Sequence, residues 1–154
     1  DNLSTTDSNG EIDYDNISPG FYEIVNWQTM GTGDYEYVGS SDKTSFNLEA
    51  GVNEEFDLIF ANKNEPSLFL SVIDDATEEP IEGAVAGVVG PNNFDQSVST
   101  GENGDAFFPL LQDPPILMEN VEYTVEVRTT GYQDYSDTVT INNLTKKEIR
   151  LISN

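Results

Sequence analysis

Four oxygen-bearing side chains lie close together in the segment DSNGEIDYD, residues 7–15: Asp7, Asn9, Asp13 and Asp15. Carboxylate and amide oxygens are ligands that Ca²⁺ prefers, so the segment is a candidate calcium site. It lacks the Asp-x-Asp spacing and the distal bidentate Glu of an EF-hand loop. Asn9-Gly10 is also typical of a β-hairpin turn, because both residues tolerate positive φ. Both interpretations stay open, and calcium is the only cofactor that the sequence suggests.

The residues that most often perform catalysis are missing. The chain contains no cysteine and no histidine, which excludes thiol nucleophiles, disulfides, the usual zinc ligands and Ser-His pairs. Paired carboxylates such as Glu54-Glu55 and Glu78-Glu79 could in principle cleave glycosides. With 29 acidic residues, however, such pairs are expected by chance. We find no acid isolated among apolar residues, where its pKa would rise, and therefore expect no catalytic residues and no enzymatic activity.

Aromatic residues cluster in the segment NWQTMGTGDYEYV, which contains Trp27, Tyr35 and Tyr37. Exposed rings of this kind can form a platform for sugars. Rings also fill the cores of β-sandwiches and the contacts between subunits. All three roles stay open, and the first makes these residues candidate glycan contacts.

Charge and sequons together favour an exported protein. The net charge of −23 repels nucleic-acid phosphates and anionic membranes, and it suits divalent cations and a saline or extracellular setting. No apolar run approaches the roughly 18 residues needed to span a bilayer, so we expect no membrane insertion. Candidate N-glycosylation sites are Asn2, Asn16 and Asn143, each followed by the Asn-x-Ser/Thr pattern. We predict a location outside the cell or at its surface.

The apolar pattern predicts an all-β, antiparallel fold. No stretch of about a dozen residues sustains the helical period, whereas short alternating runs recur at regular spacing. In VEYTVEV, the apolar residues Val121, Tyr123, Val125 and Val127 share one face. We predict strands near residues 10–15, 21–28, 34–38, 43–48, 54–61, 67–73, 83–89, 95–99, 105–109, 121–128, 136–141 and 146–152.

A weak internal repeat divides the chain. Residues 4–24 match 99–111 followed by 121–127, and residues 44–60 match 137–152. Both copies show a turn, a strand, a second turn, a strand, a loop with tyrosine, a strand, a short turn and a final strand.

Two unequal domains follow from this repeat. Residues 67–96 supply about two opening strands that have no counterpart earlier in the chain. We therefore predict two tandem small antiparallel β-sandwiches, joined at the charged, Pro-containing segment KNEPS. Residues 1–66 form a partial sandwich that lacks its opening strands, and residues 67–154 form a complete one.

The second half resembles a carboxypeptidase-regulatory-like domain, a transthyretin-like (prealbumin-like) β-sandwich. The resemblance rests on VIDDATEEPIEGAVAGV, STGENGDAFF, YTVEVRTTGYQDYSDTVTI and EIRLI. It implies the fold and says little about function, because such domains serve as enzyme appendages, stalks and adhesin repeats.

The first half is similar to the later part of the same family and, through PGFYEI and FDLIFANK, to B-type repeats of collagen adhesins. Those repeats often contain a Lys–Asn isopeptide bond. Asn62 stands at the position of that Asn, but the Lys belongs on an opening strand that this half lacks. The opening strand of the second half, LFLSVID, contains no lysine. We therefore expect no isopeptide bond within this chain.

A sandwich without its opening strands leaves apolar residues uncovered, here Ile12, Tyr14, Phe21, Tyr22 and Ile24. An upstream segment or a strand from a neighbouring subunit could cover them. The first half could also close on itself or pack directly on the second half. We predict a structural subunit or segment of an extracellular filament, pilus-like fibre or stalk. Copies of the chain would join into a homopolymer by β-strand addition, that is, donor-strand complementation. The alternatives are a carbohydrate-binding or adhesive module of a larger secreted protein, and an assembly gated by calcium.

Overall fold

A computed structural model describes residues 8, 11–23, 33–40, 45–55, 58–109 and 117–154 of this chain. Strands account for nearly all the regular structure of these residues. The predicted all-β fold with antiparallel sheets is confirmed, and a single 3₁₀ turn at Pro91–Asn93 interrupts the strands of the described residues. The strands are β1 (Gly20–Glu23), β2 (Tyr35–Ser40), β3 (Ser45–Leu48), β4 (Leu58–Asn62), β5 (Ser67–Asp74), β6 (Val85–Gly90), β7 (Phe94–Ser99), β8 (Asp105–Phe108), β9 (Val121–Arg128), β10 (Tyr135–Ile141) and β11 (Leu144–Leu151).

The second half is a two-sheet sandwich. One sheet has the strand order β10-β9-β6-β7 and the other has the order β11-β5-β8. All pairs are antiparallel except β11 with β5, which is parallel. The apolar face of each strand points between the sheets, as the alternation in VEYTVEV predicts. The core consists of Leu68, Leu70, Val72, Ile81, Ala84, Ala86, Val88, Phe94, Ala106, Phe108, Leu117, Tyr123, Val125, Val127, Ile141, Ile149 and Leu151.

The acidic turn after β5 stabilises one end of this sandwich. The buried Asp74 carboxylate accepts hydrogen bonds from the backbone N–H groups of Ala76 and Thr77, at 2.8 and 2.9 Å, and from the Ser153 hydroxyl at 3.2 Å. The Thr77 N–H and the Tyr132 hydroxyl contribute most to lowering the pKa of Asp74 to about 2. This one carboxylate therefore closes the turn after β5 and, through Ser153, holds the end of the chain against the sandwich.

The first half forms two separate antiparallel ribbons in the described residues, β1 with β3 and β2 with β4. In the internal repeat β1 and β3 correspond to β9 and β10, which are also antiparallel neighbours. β4 corresponds to β11, yet it pairs antiparallel with β2 rather than parallel with an opening strand. β2 is thus the strand partner of β4, as β5 is the strand partner of β11.

The predicted strand near residues 10–15 is wrong for residues 11–15, which have no strand structure. Its counterpart in the repeat is β8, and β8 forms its ladder with β5. The described part of the first half has no strand equivalent to β5, so the backbone of residues 11–15 has no ladder to join. An alternating pattern alone does not produce a strand, because the hydrogen bonds come from a neighbour.

Candidate functional site

The ribbon of β1 and β3 has two different faces. On one face Tyr22 stacks on Phe46, directly opposite in the register, with ring centroids 6.0 Å apart and planes at 26°. The Tyr22 hydroxyl donates a 2.6 Å hydrogen bond to the Ser18 carbonyl, which fixes the ring. The other face presents Phe21, whose side chain is 67% exposed. We call this ribbon, together with the preceding residues 11–19, the open ribbon.

Residues 11–19 add further apolar surface to the open ribbon. Ile12, Tyr14 and Ile17 are all exposed. Of the predicted interface residues, Ile12, Tyr14 and Phe21 therefore lie at the surface and Tyr22 is half-buried, while Ile24 lies outside the described residues. The outer edges of β1 and β3 pair with no other described strand. A strand edge without a neighbouring strand is a place where an incoming strand can pair.

The second ribbon, β2 with β4, lies against the second half. Glu36 Oε1 and Lys146 Nζ form an ion pair at 2.5 Å, and the same ammonium lies 5.8 Å from the centre of the Phe69 ring. The Leu144 N–H also donates to the Lys63 carbonyl at 3.3 Å. This part of the first half thus lies directly against the second half.

Each strand of the second ribbon contributes one buried apolar residue. Val38 is 1% exposed and Ala61 is 4% exposed, one on each strand of the ribbon. The half-buried carboxylate of Asp105 lies close to Gly39, next to Val38: a Cβ placed on Gly39 would lie 3.5 Å from Asp105 Oδ2 and 3.8 Å from the Phe69 ring. Burial raises the pKa of Asp105 to about 6. The sequence did not single out this acid, because Gly39 and Phe69, which lie close to it, are far from it in the chain.

A cleft of about 180 Å³ opens beside the same contact. Tyr35, Phe60 and Phe107 line it, together with the polar residues Asn62 and Glu65. Of the predicted glycan contacts, Tyr35 thus lies in the cleft. Tyr37 does not line the cleft, but its ring packs edge-on against Phe60 with centroids 5.9 Å apart, and Trp27 lies outside the described residues. The sequence did not indicate Phe60 or Phe107, which reach the cleft from two other strands.

Only two of the four candidate calcium ligands lie within the described residues. Asp13 and Asp15 are exposed, whereas Asp7 and Asn9 lie outside the described residues. Within the described ranges no group of three or more acidic residues is placed to hold a metal ion. Calcium binding by the four residues stays a prediction.

Two of the three sequons can be placed. Asn16 and Asn143 are exposed, and both have left-handed backbone angles, φ 59° and 54°, as asparagine tolerates in turns. Asn143 lies in the turn between β10 and β11, where its carbonyl accepts the Ser67 N–H at 3.1 Å. Asn2 lies outside the described residues. Glycosylation at all three stays a prediction.

No family sequence profile matches the chain, and no curated protein matches it in sequence. Several solved structures are similar in fold. A pilus 2b backbone protein of group B streptococcus has a TM-score of 0.47 and 11% identity, covering 79% of this chain and 50% of that one. The 5-hydroxyisourate hydrolase of Klebsiella pneumoniae has a TM-score of 0.44 and 14% identity over 57% of this chain and 91% of that one.

Catechol 1,2 dioxygenase of Acinetobacter radioresistens has a TM-score of 0.43 and 12% identity over 58% of this chain. This chain spans only 53% of that enzyme's length. Such similarities concern β-sandwich architecture and transfer neither activity nor partners. Among the described residues no helix is long and apolar enough to cross a bilayer.

Proposed function

We propose that this chain is a structural subunit or segment of an extracellular filament, pilus-like fibre or stalk, joined to its neighbours by β-strand addition. The observation that carries the proposal is the open ribbon, in which β1 and β3 pair only with each other among the described strands and leave Phe21 67% exposed. A two-stranded ribbon alone is marginally stable in water. A strand from a second copy would extend it into a sheet.

Strand addition supplies both affinity and selectivity at this surface. The backbone of the incoming strand pairs with the free edge, and its alternate side chains cover the exposed ring. Complete burial of one phenylalanine contributes about 1.5–3 kcal/mol. The second half supplies the rigid part of the subunit, since its core is closed between two sheets.

The rest of the surface suits a filament that stays hydrated outside the cell. The net charge of −23 keeps neighbouring fibres apart, and glycans at the exposed Asn16 and Asn143 would act in the same direction. Because β2 and β4 already lie against the second half, the open ribbon is the part of the described first half that needs a neighbour. A homopolymer with one repeated contact is therefore the simplest assembly.

The test is assembly of the wild-type protein and of Phe21→Asp, followed by negative-stain electron microscopy and light scattering. We expect filaments from the wild type and monomers from the variant, because a carboxylate at the new contact would lose its hydration. The melting temperature of the sandwich should not change, because Phe21 does not belong to its core.

The matched control is Val85→Asp. Val85 is 49% exposed and belongs to β6 of the sandwich rather than to the open ribbon, so this variant should still form filaments. A wild-type protein that stays monomeric at every concentration, or a Phe21→Asp variant that polymerises as well as the wild type, contradicts the proposal.

A further inference from the structure

The cleft between the second ribbon and the second half combines aromatic and polar side chains. Tyr35 comes from β2, Phe60 from β4 and Phe107 from β8, so each ring is delivered by a different strand. Tyr35 is 53% exposed and Phe60 is 40% exposed. These rings therefore present apolar faces to solvent at a concave surface, where a ligand can cover them.

The orientation of two lining groups is fixed before any ligand binds. Phe60 is held by the edge-on contact with Tyr37, with ring planes at 73°. Asn62 Nδ2 donates to Glu65 Oε1 at 3.1 Å, and Asn62 Oδ1 accepts the Asn64 N–H at 3.0 Å. A preformed site loses less conformational entropy on binding than a mobile one.

Size and charge restrict what the cleft can bind. Its volume of about 180 Å³ is below the roughly 300–1,000 Å³ of pockets for drug-sized ligands, so it admits one small ring. A carboxylate has several acceptor lone pairs, so Glu65 can accept hydrogen bonds from ligand hydroxyl groups as well as from Asn62. The same carboxylate, in a chain of net charge −23, repels anions.

We propose that this cleft binds one neutral pyranose ring of a glycan. The C–H face of the sugar packs on Tyr35 and Phe60, and its hydroxyl groups donate to Glu65. The chain would then carry a weak sugar-binding site that is separate from the open ribbon and independent of filament assembly.

Saturation-transfer NMR tests this with the full chain and a panel of cellobiose, maltose, lactose and mannobiose at roughly millimolar concentration. At least one of these sugars should receive saturation on its ring protons. Tyr35→Ala and Phe60→Ala should each reduce the signal at least 5-fold, and Tyr35→Phe should retain it because the ring face remains. Tyr14→Ala is the matched control, since Tyr14 is 49% exposed and outside the cleft, and it should bind like the wild type.

Four results would contradict the proposal. One is the absence of saturation transfer to every sugar in the panel. Another is equal binding by Tyr35→Ala when circular dichroism shows that it is folded. A third is binding of a short Leu-Pro peptide at these residues when no sugar binds, which would identify the cleft as a peptide groove. Glucuronic acid should bind more weakly than glucose, and equal binding would contradict the assignment of a neutral ligand.

Discussion

At the residue scale, Tyr123 organises the core of the second half. It is 1% exposed, and its ring packs edge-on against Phe94 at 5.4 Å. Its hydroxyl accepts the Met118 N–H at 2.8 Å, which satisfies the polar end of a buried aromatic side chain. The ring lies directly against Gly90, where a Cβ would overlap it. Glycine at this position is required by the close approach of the ring.

Gly90→Ala therefore should destabilise the protein by about 1–3 kcal/mol, because the extra methyl group overpacks the core. Gly87→Ala, in the same strand, is the control: its Cβ would meet the nearest backbone oxygen at 3.9 Å, an ordinary contact. We expect its free energy of unfolding to stay within about 0.5 kcal/mol of the wild type. Urea denaturation measures both, and equal stabilities of the two variants would be inconsistent with the packing around Tyr123.

At the scale of elements, the contact between the second ribbon and the sandwich combines an exposed ion pair with a half-buried acid. The Glu36–Lys146 pair is partly solvated, so it contributes about 0–1 kcal/mol. Asp105, close to Gly39, is different, because burial raises its pKa to about 6. The folded state therefore binds this proton more tightly than the unfolded state, whose carboxyl titrates near 3.8.

The sign of the pH dependence follows from this difference. Between about pH 4 and pH 6 the folded state binds more protons than the unfolded state. The contribution of Asp105 to the free energy of unfolding therefore decreases as the pH rises through this range, and it is constant above about pH 6. Asp105→Asn should remove that decrease and leave the ribbon more firmly docked at pH 7. Thermal unfolding across this pH range, with hydrogen exchange of the β2 and β4 amides, measures the effect. A variant with the same pH profile as the wild type would disprove the role of Asp105.

At the scale of the whole molecule, charge is the dominant feature. Basic residues are few, and three of them, Lys146, Lys147 and Arg150, lie on β11. Each forms an ion pair there, for example Lys147 with Asp137 at 2.7 Å. β11 is therefore locally compensated, while most of the acidic surface is not. The uncompensated charge opposes compactness and contact between copies.

Sodium chloride should therefore raise the melting temperature and promote filament formation at pH 7. The Debye length falls from about 10 Å at 0.1 M to about 3 Å at 1 M, so repulsion between surface carboxylates weakens. The same salt series near pH 4.1, the isoelectric point of the sequence, should have little effect because the net charge is small. Scanning calorimetry and light scattering measure the two properties. A melting temperature that is independent of salt at pH 7 would refute this account.

The amino-acid sequence by itself determined the fold class and most of the strands of the second half. The predicted strand at residues 121–128 coincides with β9, because alternation of apolar and polar residues reports which side of a strand is buried. Exposure of Phe21 was expected from the sequence as well.

Only the tertiary structure decided which strands pair and what they enclose. Residues 11–15 alternate but form no strand, β2 becomes the partner of β4, and burial gives Asp105 its raised pKa. Tyr35 was a candidate glycan contact, yet its neighbours Phe60 and Phe107 were not. The physical reason is that periodicity is a local property, whereas hydrogen-bond partners, desolvation and clefts arise from segments that are distant in the chain.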